Sequence, residues 1–155
     1  LQLLRAELPA ELREALTEAG LPGSALELEL TETLLMSNPE QAIRTLGELK
    51  NVGVEVAVDD FGTGYSSLGY LKRLPIEKLK IDREFIADLL DDPDDATIVQ
   101  TVIAMAKALR LRATAEGVET EAQLEFLARQ GCDEAQGYLL CRPLPAVACA
   151  EWLRE

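Results

Sequence analysis

"VEVAVDDFGTGYSSLGYLKRLPIEKLKID" runs from Val54 to Asp82, and it reads as a strand, a helix and a second strand. Val54 to Asp59 is an apolar run that ends in two adjacent aspartates, Asp59 and Asp60. Gly62 and Gly64 permit backbone shapes that bulky residues resist. The loop from Phe61 to Ser67 is longer and richer in glycine than a turn of this kind requires. Ser66 or Ser67 would cap a short helix to Arg73, and Pro75 stops it. Leu79 to Asp82 is the next strand. Two strands joined this way form a right-handed βαβ unit in a parallel sheet.

The same unit recurs on both sides. Leu26 to Thr31 alternates as a strand. Ser37 or Asn38, followed by Pro39 and Glu40, opens a helix that stops before Gly53. Downstream, Arg83 to Leu90 is helical. Asp95 to Leu109 is a long helix with Ile98, Val102, Met105 and Leu109 on one face. Arg112 to Ala115 is a fourth strand. Thr120 caps the following helix, with Gln123 as its capping-box partner. Glu134 to Tyr138 is a fifth strand, and a last helix spans Pro145 to Leu153.

Alternating strands and helices leave the doubly wound sheet and the (β/α)8 barrel as candidates. A doubly wound nucleotide binder carries a glycine fingerprint after its first strand, and none follows Thr31. Instead, acidic or polar residues recur at the C-terminal ends of the strands. In a barrel those ends share one mouth, where the chemistry sits. Eight units need ~250 residues, and five need ~156, close to the 155 present. The expected fold is an incomplete (β/α)8 barrel of TIM type with about five parallel βα units.

The net charge is −13 and there is no histidine. The charge argues against DNA or RNA, whose phosphates need clustered Lys and Arg. The lack of histidine removes zinc-hydrolase motifs and Ser-His-Asp triads. Any metal is a hard one on carboxylates, Mg²⁺ or Mn²⁺. Cys132, Cys141 and Cys149 lack a metal-type spacing and read as reduced cytoplasmic thiols. There is no apolar run of about 18 residues to span a membrane. The amphipathic start lacks the features of a signal peptide.

Taken singly, each acidic residue is a cap, a turn signal or a solvated charge, and Lys80 would snorkel to water. Taken together, Glu29, Asp59, Asp60 and Glu116 are four carboxylates aimed at one mouth, with Lys80 among them. Such a group repels itself unless a cation binds. Asp59 and Asp60 suit a bridging pair for two metals ~4 Å apart, which can drive phosphoryl chemistry.

Five segments, "ELTE" at Glu29, "DDFGTGYSSL" at Asp59, "LKID" at Leu79, "AEGVET" at Ala115 and "QGY" at Gln136, resemble the EAL domain family of bacterial cyclic di-GMP phosphodiesterases. The resemblance covers the whole chain and implies a (β/α)8 barrel. It implies hydrolysis of cyclic di-GMP to linear pGpG with Mg²⁺ or Mn²⁺. Glu29, Asp59, Asp60 and Glu116 would bind metal. Lys80 would contact the attacking water or the phosphate, and Glu116 would bind the second metal or act as base. Glu32 would anchor the loop after Asp60, with Asp82, Glu119 and Gln136 in support. Phe61, Gly62, Thr63, Gly64, Tyr65, Ser66 and Ser67 would face the substrate and a dimer surface shared with a second copy or another EAL subunit.

The family also has a metal-binding Glu in a Glu-Ala-Leu motif on an early strand, and an Asn on the next strand. Neither strand is in this sequence, which starts in the helix after them. Residues 1–155 are therefore expected to be a partial EAL domain with little or no turnover alone. The alternatives are a regulatory remnant that binds the dinucleotide or dimerises, and an unsupported fragment. The fragment would have open edges at Leu26 to Thr31 and Glu134 to Tyr138, and an exposed core. Tyr65, Tyr70 and Tyr138 are expected to pack, and Trp152 to lie in the core.

Overall fold

The computed structural model describes residues 7–62 and 68–154. Thr63, Gly64, Tyr65, Ser66 and Ser67 lie outside the described residues, as does the start of the helix expected from Ser66.

Five strands form one sheet: β1 (Glu27–Thr31), β2 (Glu55–Phe61), β3 (Lys78–Ile81), β4 (Arg112–Ala115) and β5 (Glu134–Ala135). All pairs are parallel, and the spatial order is the chain order. The helices are α1 (Leu8–Ala19), α2 (Glu32–Ser37), α3 (Pro39–Val52), α4 (Leu68–Leu71), α5 (Arg83–Ala87), α6 (Pro93–Leu109), α7 (Glu121–Gln130) and α8 (Ala146–Trp152). Local chemistry explains the boundaries. Asn38 caps α3, accepting from the Gln41 N–H, with Pro39 in the first turn. Gly53 ends it at φ 89°, a conformation that suits glycine. Among the described residues, no helix is long and apolar enough to cross a membrane.

Side chains alternate across a strand, and the two faces differ completely. Leu28, Leu30, Val56, Val58, Leu79, Ile81, Ala113 and Ala115 pack with Leu46, Leu49, Val99, Ile103 and Leu127 from the helices. The opposite face carries Glu27, Glu29, Glu55, Asp59, Lys78, Lys80, Arg112 and Glu134, joined by ion pairs. The core lies between sheet and helices, and the bare face of the sheet is charged.

Five residues form a network at the start of the strands. Lys78 Nζ lies 2.9 Å from Glu27 Oε2 and 2.7 Å from Glu134 Oε2. Arg112 pairs with Glu55, and with Glu134 at 2.9 Å. Its guanidinium also comes within 4.0 Å of Glu27, three strands away. Adjacent strands are about 4.8 Å apart, so this contact requires a curled sheet. Burial alone would raise the Glu134 carboxyl pKa. Hydrogen bonds from Lys78 and Thr114 and the Lys78 and Arg112 charges outweigh it and hold the value below the usual range. The linked stability is present above the ordinary carboxylate value of about 4.3. It is lost as pH falls through the lower folded value. Thermal melts from pH 6 to 3 should show Glu134→Gln losing its deficit relative to wild type below about pH 4.

Several expected elements differ. β2 continues through Asp60 and Phe61, and β3 is Lys78–Ile81 instead of Leu79 to Asp82. α2 was not expected, yet Thr31 caps it by accepting from the Leu34 N–H. α5 stops at Ala87, and residues 88–91 form turns bonded to the Asp88 carbonyl. α6 starts at Pro93, capped by Asp92, and its buried line is Val99, Val102, Ile103 and Ala106. Ile98, Met105 and Leu109 only flank that line. β5 ends at Ala135 because the next backbone groups bond Val118 instead of continuing the ladder. Trp152 is 47% exposed, which corrects its assignment to the core, whereas Tyr138, half exposed, packs under the Arg142 guanidinium at 4.5 Å.

Candidate carboxylate metal centre

Asp59 and Asp60 are consecutive in β2, so regular alternation would send them to opposite faces. A bulge prevents this. Val58 pairs with Leu79 and Phe61 with Ile81, leaving one extra residue on β2. Asp60 absorbs it at φ 52°, a left-handed conformation that aspartate tolerates better than most residues. A bulge re-aims side chains in this way. One carboxylate oxygen from each of Asp59, Asp60 and Glu116 then lies within 4.8 Å of the other two. Burial raises the Asp60 carboxyl pKa, followed by the Asp59 charge, a hydrogen bond and charge from Asp82, and the Glu116 charge.

Lys80 occupies the centre of this end of the sheet and is 4% exposed, so it does not snorkel. Its Nζ is 2.6 Å from Glu116 Oε1, 2.5 Å from Glu29 Oε1 and 3.2 Å from Asp59 Oδ1. Burial would lower the ammonium pKa. The close contacts with Glu116, Glu29 and Asp59 more than offset this and raise it above the usual lysine value. The Asp59 contact is an ion pair without hydrogen-bond geometry, so its buried Oδ1 has no hydrogen-bond partner. Glu29 meets the carboxylate group through Lys80 and is not one of the three converging residues.

The supporting residues surround the centre. Glu32, in the first turn of α2, is buried, and its Oε2 accepts a long 3.5 Å hydrogen bond from the Gly62 N–H. Phe61 is buried beside it. Asp82 caps α5 by accepting from the Glu84 N–H at 2.7 Å and also lies beside the Asp60 carboxyl. Glu119 and Gln136 line a cavity of about 230 Å³ with Arg83, Glu116 and Tyr138. Sequence reading did not find Phe85, whose ring edge would lie 3.0 Å from a Cβ at Gly62. No sequence signal pointed to that contact.

The donor set suits a hard cation. Three converging carboxylate oxygens, one carboxyl raised by burial and its like-charged neighbours, and a buried oxygen without a hydrogen bond all favour a hard divalent cation. The sequence also contains a Glu-Ala-Leu tripeptide, Glu14 to Leu16, but it lies in α1 with Glu14 exposed to solvent. It is not a strand-end ligand.

A family model for the EAL domain matches residues 1–143. The chain belongs to the EAL domain family. It is 53% identical over 150 residues to the cyclic di-GMP phosphodiesterase NbdA of Pseudomonas aeruginosa, covering 97% of this chain and 19% of that protein. The structure of the MucR phosphodiesterase of the same organism in complex with c-di-GMP superposes with a TM-score of 0.93 at 50% identity. That match covers 96% of this chain and 60% of the MucR chain. A manganese and cyclic di-GMP complex of Klebsiella pneumoniae BlrP1 superposes at 0.82 with 33% identity, covering 90% and 36%. This chain therefore spans about a fifth of the curated relatives it matches first. Its α/β fold with five parallel strands is shared with the TIM-barrel-like EAL domains.

Proposed function

We propose that residues 1–155 are the C-terminal part of a cyclic di-GMP phosphodiesterase domain, and that they carry most of its metal centre. The observation that supports this reading is the convergence of Asp59, Asp60 and Glu116 beside Lys80. Bound there, Mg²⁺ or Mn²⁺ would polarise a phosphodiester and activate water for in-line displacement to linear pGpG. Asp59, Asp60 and Glu116 would hold the ions. Glu29 would join them when Lys80 turns from it towards a phosphate oxygen. Glu116 also stands where a proton can be accepted, and Glu119 and Gln136 line the adjoining cavity. Glu32 would hold the Gly62 backbone, at the start of the segment that the family resemblance assigns to the substrate and to a second copy or another EAL subunit. Free thiols at Cys132, Cys141 and Cys149 fit a cytoplasmic protein.

Two family ligands, the Glu-Ala-Leu glutamate and the asparagine of the next strand, belong to strands this sequence lacks. Turnover by this chain alone is expected to be slight. Calorimetry with cyclic di-GMP, with and without Mn²⁺, should be paired with a chromatographic assay for pGpG. The expected result is Mn²⁺-dependent binding without product, lost in Asp60→Asn. Product would show that the two ligands are dispensable or replaced within a dimer. No binding with Mn²⁺ would remove the metal-centre reading for this chain.

A further inference from the structure

We propose that Gln123 is a positioning residue that sets the spacing between the two halves of the carboxylate centre; this rests on the reading of that centre as a metal site. Asp59 and Asp60 belong to β2, and Glu116 follows β4. β3 lies between them in the sheet, so the two halves are not paired directly and are linked there only through β3 and its Lys80. A second link runs outside the sheet, through one buried amide.

Gln123 is 7% exposed. Its Oε1 accepts from the Glu119 N–H at 2.9 Å and the Thr120 N–H at 3.0 Å. Its Nε2 donates to the Ile86 carbonyl at 2.9 Å and to the Ala87 carbonyl at 3.5 Å. A glutamine amide has two acceptor and two donor sites, and all four are used here. The acceptor half is the capping box of α7 and is legible in the sequence. The donor half reaches the end of α5, where the Ile86 carbonyl also accepts from the Leu89 N–H at 3.4 Å.

α5 has only five residues, too few to hold itself in place. Both of its sides touch the β2 half of the centre. Asp82 at its N-cap lies beside the Asp60 carboxyl, and the Phe85 ring packs against Gly62. Gln123 therefore joins the Glu116–Glu119 loop to the helix that holds Asp60 and Gly62. The route runs through contacts at 2.9 to 3.5 Å.

Gln123→Glu separates the two halves of this role. Glutamate keeps both acceptor oxygens for the capping box, but it cannot donate to the Ile86 carbonyl. The added negative charge would by itself strengthen cation binding, so a loss of affinity runs against its sign. Mn²⁺ affinity is read by electron paramagnetic resonance on the full 155-residue chain, with urea midpoints for every variant. Gln123→Glu should weaken Mn²⁺ binding about tenfold or more, the size expected when a support behind metal ligands is removed. Thr120→Ala removes the cap but not the link to α5, so it should lower the urea midpoint and leave affinity within about threefold. Phe85→Leu loosens the α5 contact with Gly62 without touching Gln123 and should weaken Mn²⁺ binding in the folded chain. It keeps the test open if Gln123→Glu does not fold. Wild-type affinity in Gln123→Glu, or in Phe85→Leu where it stands in, overturns the proposal. So does an equal loss in Thr120→Ala. A wild-type chain that binds no Mn²⁺ overturns the metal-centre reading and this proposal with it.

Discussion

Lys80→Ala should cost about 3 kcal/mol of folding stability, the lower end of the range for removing one partner of a buried ion pair, and Mn²⁺ should restore part of it. The ammonium is 4% exposed and touches Glu29, Asp59 and Glu116. Without it, three carboxylates face one another and Asp60 at one sheet end. Glu29 is half exposed, so water screens its share and keeps the loss at the low end. The pH dependence has a defined sign. Contact with the carboxylates raises the lysine pKa in the folded chain. Its contribution is therefore complete below the ordinary lysine value of about 10.4 and is lost only as pH rises through the higher folded value. Across pH 6 to 9 the deficit of Lys80→Ala should be flat. A divalent ion supplies the missing charge, so the urea midpoint of Lys80→Ala should rise in Mn²⁺ by more than that of wild type. A deficit under about 1 kcal/mol, the size of an exposed pair, would mean that Lys80 is not the charge holding this cluster together.

How much of this was legible beforehand follows from the range of the interactions. The alternation from Leu26 to Thr31 and the capping residues Asn38 and Thr120 are local signals. They located the parallel strands and most of the helices. Thr31 is an equally local cap, but it sits between Glu29 and Glu32, whose acidic pattern reads as a ligand set instead of a helix start. The bulge at Asp60 is different. The adjacent aspartates signal a site, but only the pairing of Phe61 with Ile81 shows how both reach one face. The same holds for Lys80. Its place among three carboxylates is set by strand register, with Lys80 opposite Thr114 and Asp59 opposite Thr31. Glu29 looked like a direct member of the cluster because it ends a strand, yet Lys80 stands between it and the others. The bare face of the sheet shows the same limit. Counting strands does not say which residues line it, whereas register puts Glu27, Glu55, Lys78, Arg112 and Glu134 there.

Gly137→Ala should be the most damaging conservative change at the cavity beside the metal centre. Gly137 is not in a left-handed conformation, so the argument is steric. A Cβ at this position would lie 2.1 Å from the Val118 carbonyl oxygen and 2.3 Å from the Val118 nitrogen. Both are backbone atoms of a fully buried residue, and no rotamer change relieves the overlap. The same backbone groups are also bonded. The Val118 N–H donates to the Gln136 carbonyl at 3.0 Å, and the Leu139 N–H donates to the Val118 carbonyl at 3.0 Å. Separating the segments forfeits these two bonds, about 1 kcal/mol each. Overpacking adds about 1–3 kcal/mol, so about 3–5 kcal/mol in all is expected. Gly47→Ala is the matched control. Gly47 lies inside α3, has no positive φ, and a Cβ added there would meet no atom within 4 Å. Alanine there should stabilise by about 0.5–1 kcal/mol. Urea denaturation of both variants measures the contrast. The turn from Gln136 to Leu139 backs the loop from Glu116 to Glu119, so Gly137→Ala should weaken Mn²⁺ binding too. Equal and small shifts in the two variants would mean that this turn moves freely away from Val118, and that it does not help to hold Glu116 in place.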